Sequence, residues 1–212
     1  LRSFWDTGVY VINNPVGETI DLRVDGEKDL ALFLVDVFGN LVIQADNGVT
    51  GIESGSAKTT VDAPHFALVT LFEGNSGSFQ FGSNRSLAAF HDPDDGKTVA
   101  AGQTIRANMD YPADIDYFLL DLNEGETVDI AVDTMNFDPV LQVDYQGATG
   151  EVSDDDSGGG IFGTNAKLTF QAPQSGCYTI VVQDVNFVDV GGYFLTIMQA
   201  PPGAVPFPIA PP

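Results

Sequence analysis

The chain has 212 residues, 43% of them hydrophobic, and 30 acidic residues against 8 basic ones give a formal net charge of −22. This length suits one large domain or two of ordinary size, and the apolar content excludes a disordered acidic tail. The charge repels nucleic acid and anionic lipid, which makes both poor partners, and attracts cations instead. Asp outnumbers Glu 23 to 7, and short carboxylates suit turns and hard-cation cages better than helix faces. A salt-adapted surface is the other reading of the same acidity. No stretch approaches the ~20 uninterrupted apolar residues of a membrane helix. Leu1-Arg2-Ser3-Phe4-Trp5-Asp6 lacks the charged and apolar runs of a secretory leader, as a mature secreted chain would.

From the N-terminus, the first clear strand signal is Gly17-Glu18-Thr19-Ile20-Asp21-Leu22-Arg23-Val24-Asp25. Ile20, Leu22 and Val24 take one face, and Thr19, Asp21, Arg23 and Asp25 the other, the alternation of a half-buried antiparallel strand. A run with Asp29, Leu32 and Gly39 follows, then Ala57 to Pro64 and Gly77-Ser78-Phe79-Gln80-Phe81. Between Ser83 and Gly96 the alternation breaks down. It then starts again. Gly125-Glu126-Thr127-Val128-Asp129-Ile130-Ala131-Val132-Asp133 repeats the first run, and Asp138, Leu141 and Gly147 repeat the second. Ala166 to Pro173 and Gly191-Gly192-Tyr193-Phe194-Leu195 complete the copy, at an offset that drifts only from 108 to 114. The chain is therefore a duplication. No helical stripe is present. The expected fold is all-β: two tandem antiparallel β-sandwiches, jelly-roll-like, each of roughly seven or eight strands. The expected bounds are 1–85 for the first, 86–200 for the second and 201–212 for a Pro-rich extended tail. Cys177 lies in the strand run Gly176 to Val182, where a lone cysteine is expected to act as a small apolar filler.

Chemistry concentrates in the second copy as three acidic groups. His91-Asp92-Pro93-Asp94-Asp95-Gly96 opens it. Asp110 and Asp114-Ile115-Asp116 lead into a strand. Asp154-Asp155-Asp156 precedes Ser157 and three glycines, with Asp138-Pro139 upstream. Unit charges ~4 Å apart repel by about 1 kcal/mol in water and several times more near a protein surface. A divalent cation converts that repulsion into attraction, and calcium accepts six to eight oxygens in irregular geometry. The alternative is that these residues cap turns or face solvent. The candidate metal ligands are Asp92, Asp94, Asp95, Asp114, Asp116, Asp138, Asp154, Asp155 and Asp156, and the expected ion is Ca2+. No catalytic residue is assigned. His-Glu-x-x-His and Gly-x-Ser-x-Gly are absent, and the two histidines, His65 and His91, read as exposed loop residues.

Asp114-Ile115-Asp116-Tyr117-Phe118, Gly125-Glu126-Thr127-Val128 and Asp138-Pro139-Val140-Leu141 resemble the bacterial pre-peptidase C-terminal domain. Asp154 to Gly159, Ala172-Pro173, Gly176 to Val182 and Gly192 to Thr196 continue the resemblance, which spans about residues 90 to 198. That family is similar to the collagen-binding domains of secreted clostridial collagenases. The resemblance implies a jelly-roll-like sandwich, secretion, and calcium at the domain entrance on Asp92, Asp94, Asp95, Asp114 and Asp116. The first copy departs from the pattern. Asp6-Thr7-Gly8-Val9-Tyr10 stands in place of the Asp-x-Asp step, and Asp46-Asn47-Gly48 in place of the triplet.

The expected function is a non-catalytic, secreted, calcium-binding module for extracellular binding or adhesion, its calcium ordering the linker and thereby the angle between the two sandwiches. Its partner would be a protein or polysaccharide ligand at the cell exterior, or copies of itself. Two alternatives stand beside it. One is a self-assembling subunit of a filament, sheath or surface layer, with the tail docked along a neighbour. The other is the accessory region of a secreted hydrolase.

Overall fold

Alternating apolar and polar residues at the half-buried strands, and near-continuous apolar runs at the central ones, produce strands through most of a computed structural model of the chain. It describes residues 7–48, 51–71, 77–145 and 148–207, the side chains of 145 and 148–151 excepted. Trp5, Asp6 and Gly147 lie outside the described residues. The chain divides into two compact units, Leu1–Pro93 and Asp94–Pro212. Both are all-β, and among the described residues no helix is long and apolar enough to cross a membrane.

The first unit contains β1 (Gly8–Asn14), β2 (Thr19–Gly26), β3 (Leu30–Asp36), β4 (Leu41–Ala45), β5 (Ile52–Lys58), β6 (Ala63–Leu71), β7 (Phe79–Ser83) and β8 (Ala88–Phe90). They form a five-stranded sheet, β4-β3-β6-β1-β8, and a three-stranded one, β5-β2-β7. Ile20, Leu22 and Val24 of β2 are buried as their alternation requires. They share a core with Leu32, Leu34, Ala67 and Val69 of the opposite sheet, so the two sheets pack face to face. β8 pairs with β1, so Ala88–Phe90 lie in the first unit's sheet.

The second unit contains β9 (Lys97–Val99), β10 (Gln103–Met109), β11 (Ile115–Leu122), β12 (Thr127–Thr134), β13 (Pro139–Tyr145), β14 (Ala148–Asp154), β15 (Ala166–Gln171), β16 (Gly176–Asp184) and β17 (Gly191–Gln199). Its sheets run β14-β13-β16-β11-β9 and β10-β17-β12-β15. Phe118, Leu120, Leu141 and Ile180 from the first meet Val128, Ile130, Leu168 and Leu195 from the second in one core. Each unit is thus an antiparallel β-sandwich.

The duplication extends to strand order. Exchanging β4, β3, β6 and β1 for β14, β13, β16 and β11, and β5, β2 and β7 for β15, β12 and β17, maps the shared strands of one pair of sheets onto the other, with β10 an added edge strand of the second unit. β6 and β16 even share one burial pattern over nine residues. The edges differ: β8 runs antiparallel to β1, whereas β9 runs parallel to β11. Pairing registers equate individual residues. Gly8 faces Val69 as Asp116 faces Val182, Leu30 faces Leu71 as Pro139 faces Asp184, and Gly26 faces Phe79 as Thr134 faces Tyr193.

The tail through Phe207 does not reach outward. Phe207 packs against the second unit's own core, and its N–H donates to the Thr169 carbonyl at 2.9 Å.

Candidate metal centre

Asp110-Tyr111-Pro112-Ala113-Asp114 turns the chain from β10 into β11. The Asp114 N–H donates to the Tyr111 carbonyl (3.1 Å), and the Asp110 N–H donates to Asp114 Oδ2 (2.6 Å). Ala113 adopts a left-handed conformation, φ 68°, which costs a non-glycine residue about 1–2 kcal/mol. β11 follows, and its alternation puts Asp116 on the face that carries Phe118, Leu120 and Leu122 into the core. A carboxylate therefore heads an apolar stripe, with none of its surface exposed.

Asp92, Asp114 and Asp116 converge. One oxygen from each lies within 4.8 Å of the others. Asp114 and Asp116 are buried and Asp92, in the segment leading to Asp94, is partly so. Asp116 Oδ2 accepts the Tyr193 hydroxyl at 2.5 Å. Burial, then the negative charge of Asp116 and the hydrogen bond given to it, with Asp94 and Asp114 adding to them, push the Tyr193 phenol well above its usual range. It stays protonated and donates. Burial and the nearby Asp94 also raise the Asp110 carboxyl.

The other two of the five carboxylates expected at the entrance make contacts of their own. Asp94 pairs with Lys97 and its Oδ2 accepts the Asn108 N–H at 2.9 Å. Asp95 Oδ1 accepts the Tyr117 N–H at 3.3 Å. With the Gly96 N–H on the Tyr117 carbonyl (2.8 Å) and the parallel pairing of β9 with β11, these bonds fasten residues 94–99 to the sheet. Asp92, Asp114 and Asp116 are the hard-oxygen cluster itself. Two oxygens bound to one calcium at 2.3–2.6 Å lie at most about 5 Å apart, so the trio fits a single calcium.

The other group occupies the end of the β14-β13-β16 edge. Asp154 organises its own turn, accepting the Ser157 N–H (3.0 Å), the Ser157 hydroxyl (2.5 Å) and the Lys167 N–H (2.7 Å). Gly158 is required there, because a Cβ would come 2.6 Å from the Asn165 carbonyl oxygen. Asp155 and Asp156 are exposed on that turn. Burial first, then Asp156, Asp155 and Asp184, raise the Asp138 carboxyl.

Sequence reasoning missed two residues. Tyr193 reads as an ordinary aromatic strand residue. Asp184 closes the buried series Ile180, Val182, Asp184, and an acid in core-facing register was the available signal. Other expectations are corrected. His65 is fully buried in β6, its Nδ1 2.9 Å from the Ala63 carbonyl oxygen, not in an exposed loop. Cys177 is exposed on the outer face beside Asp121, not an apolar filler; partial desolvation, then its hydrogen bond to Asp121 and that carboxylate's charge, raise its thiol.

Residues 114–184, within the second unit, match the model of the bacterial pre-peptidase C-terminal domain. Among solved structures the chain is similar to the pre-peptidase C-terminal domain of collagenase from Bacillus anthracis. Identity there is 16% and the TM-score 0.40, over 51% of this chain and 99% of that one. It is also similar to PliG, a periplasmic inhibitor of g-type lysozyme. The Salmonella Typhimurium protein is 17% identical (TM-score 0.36; 49% and 97% covered), and that of Aeromonas hydrophila 16% (0.35; 50% and 99%). No curated protein matches the chain.

Proposed function

We propose that the chain is a non-catalytic module of an extracellular protein that binds calcium through Asp114 and Asp116 at the start of β11 and Asp92 of the segment that leads into β9. One observation carries this reading: three carboxylates, two of them buried, hold oxygens within 4.8 Å of one another. Gathering negative charge in this way is costly without a cation and favourable with one. The donors are all hard oxygens, with neither His nor Cys among them, which suits calcium over zinc or copper. The ion would tie Asp92 to the start of β11, and Tyr193 would hold Asp116 in position through its hydroxyl.

The module's partner would be a protein or polysaccharide outside the cell. The pre-peptidase domain favours attachment to a secreted hydrolase. Self-assembly through the tail has less support, since Phe207 is engaged with its own unit. Titration calorimetry with calcium on the whole chain tests the metal. Binding that Asp92→Asn weakens at least tenfold supports the site, and no heat at millimolar calcium removes it.

A further inference from the structure

Asp184 is a carboxylate buried without an evident need. It is 2% exposed, at the end of β16. Its Oδ2 accepts two backbone N–H groups, from Val188 (2.9 Å) and Asp189 (3.1 Å). Its Oδ1 is buried and has no hydrogen-bond partner. Asp138 Oδ1 is in the same condition. A buried carboxylate oxygen without a donor costs about 1–3 kcal/mol or more, so two at one place call for a compensating group.

The register brings them together. Pro139, the first residue of β13, pairs with Asp184 on one side. On the other side Leu141 pairs with Asp154, and the chain leaves β14 there to carry Asp155 and Asp156 past the same end of the sheet. The Val185 N–H donates to the Asp138 carbonyl at 2.9 Å, which locks the two segments. The charges of Asp155, Asp156 and Asp184 all act on Asp138. Among the described residues only the entrance trio is drawn within 4.8 Å, so here an ion would also draw in the exposed Asp155 and Asp156.

We infer that Asp138 and Asp184, joined by Asp155 and Asp156, form a second site for a hard divalent cation of calcium size, separate from the entrance trio. The two buried oxygens supply fixed ligands, and the exposed turn supplies ligands that close over the ion. This site does not depend on the entrance reading. Asp154 stays outside it as the residue that shapes the turn.

Calcium titration of the full chain, with the metal alone as probe, tests this. Two ions per chain are expected. Asp138→Asn should remove one and leave the ion that Asp92→Asn removes. Asp156→Asn, on an exposed side chain that cannot threaten the fold, should weaken the same ion at least tenfold. In chelator Asp138→Asn should melt no lower than the parent, because it relieves repulsion, whereas in calcium it should melt lower. An unchanged ion count in Asp138→Asn overturns the site, as does an unchanged isotherm in Asp156→Asn. A variant equally destabilised with and without calcium also overturns it, since that marks a structural role alone. A chain that binds one ion, lost in Asp138→Asn but not in Asp92→Asn, upholds this site and removes the entrance one.

Discussion

The two units are one strand order with two electrostatic characters, and the register shows where they parted. The second unit has Asp116 where the first has Gly8, Tyr193 where the first has Phe79, and Asp184 where the first has Leu71. In the first unit Phe79 closes on the bare backbone of Gly8, so that a Cβ there would meet the ring at 2.7 Å. In the second the same two places hold a hydroxyl and a carboxylate 2.5 Å apart. Leu71 and Asp184 are each 2% exposed, so one position is filled with hydrocarbon in one copy and with charge in the other. The frame tolerates both. Burying a charge where an apolar residue demonstrably fits is a cost that packing does not explain, and that the proposed cation would offset. Among the described residues, the two left-handed non-glycine ones, Ala113 and Phe187, fall beside these acidic positions, in the turns of Asp114 and of Asp184.

The most direct way to break this contrast is to write the second unit's residue into the first. Gly8→Asp sets a carboxylate against Phe79, which has no hydroxyl to donate, and should destabilise the first unit by about 3 kcal/mol. Calorimetry of the whole chain would show it as a fall in one transition. If the variant melts like the parent, the two positions are not equivalent in environment. Calcium gives the next effect. At a hundredfold excess over its Kd, one ion adds about 2.7 kcal/mol, which in a domain of this size raises Tm by roughly ten degrees. Only the second unit's transition should move on chelation; equal movement of both would erase the distinction. Tyr193→Phe then copies the first unit's residue into the second. It removes a hydrogen bond to a charged, buried partner and should cost about 2 kcal/mol. Its calcium Kd should weaken as well, and a normal affinity would show that Tyr193 does not position Asp116.

The sandwich and its duplication were legible because period-two alternation is local: Ile20, Leu22 and Val24 announce their own burial, and Val128, Ile130 and Val132 repeat it. The sites were legible only in part, because convergence is not local. Asp92, Asp94 and Asp95 are neighbours in sequence, yet a salt bridge to Lys97 and the N–H groups of Asn108 and Tyr117 engage two of them, while Asp92 joins Asp114 and Asp116. Which carboxylates converge depends on the register of β9 against β11 and on the turn at Ala113. Asp184 stayed hidden for the opposite reason. It is a single acid with no acidic neighbours in its strand, and only the Pro139 pairing places it near Asp138. His65 was misjudged because a nearby proline suggests a loop, whereas the strand buries the ring and Ala63 supplies its partner.

The smallest expected difference concerns acid, and it belongs to the first unit. Asp36 is buried at the end of β3, and burial alone would raise its carboxyl. The Asn40 amide, the backbone N–H groups of Asn40 and Phe38, each 2.9 Å away, and the neighbouring His65 outweigh burial and hold it below its usual value. A carboxyl whose folded pKa is depressed contributes stability that is complete above the unfolded pKa and is lost as pH falls through the folded one. The first unit's Tm should therefore decline below about pH 4, and Asp36→Asn should lower Tm at neutral pH while flattening that decline. If the variant keeps the parent's full acid sensitivity, Asp36 is not its source, and some other carboxylate of the first unit must be.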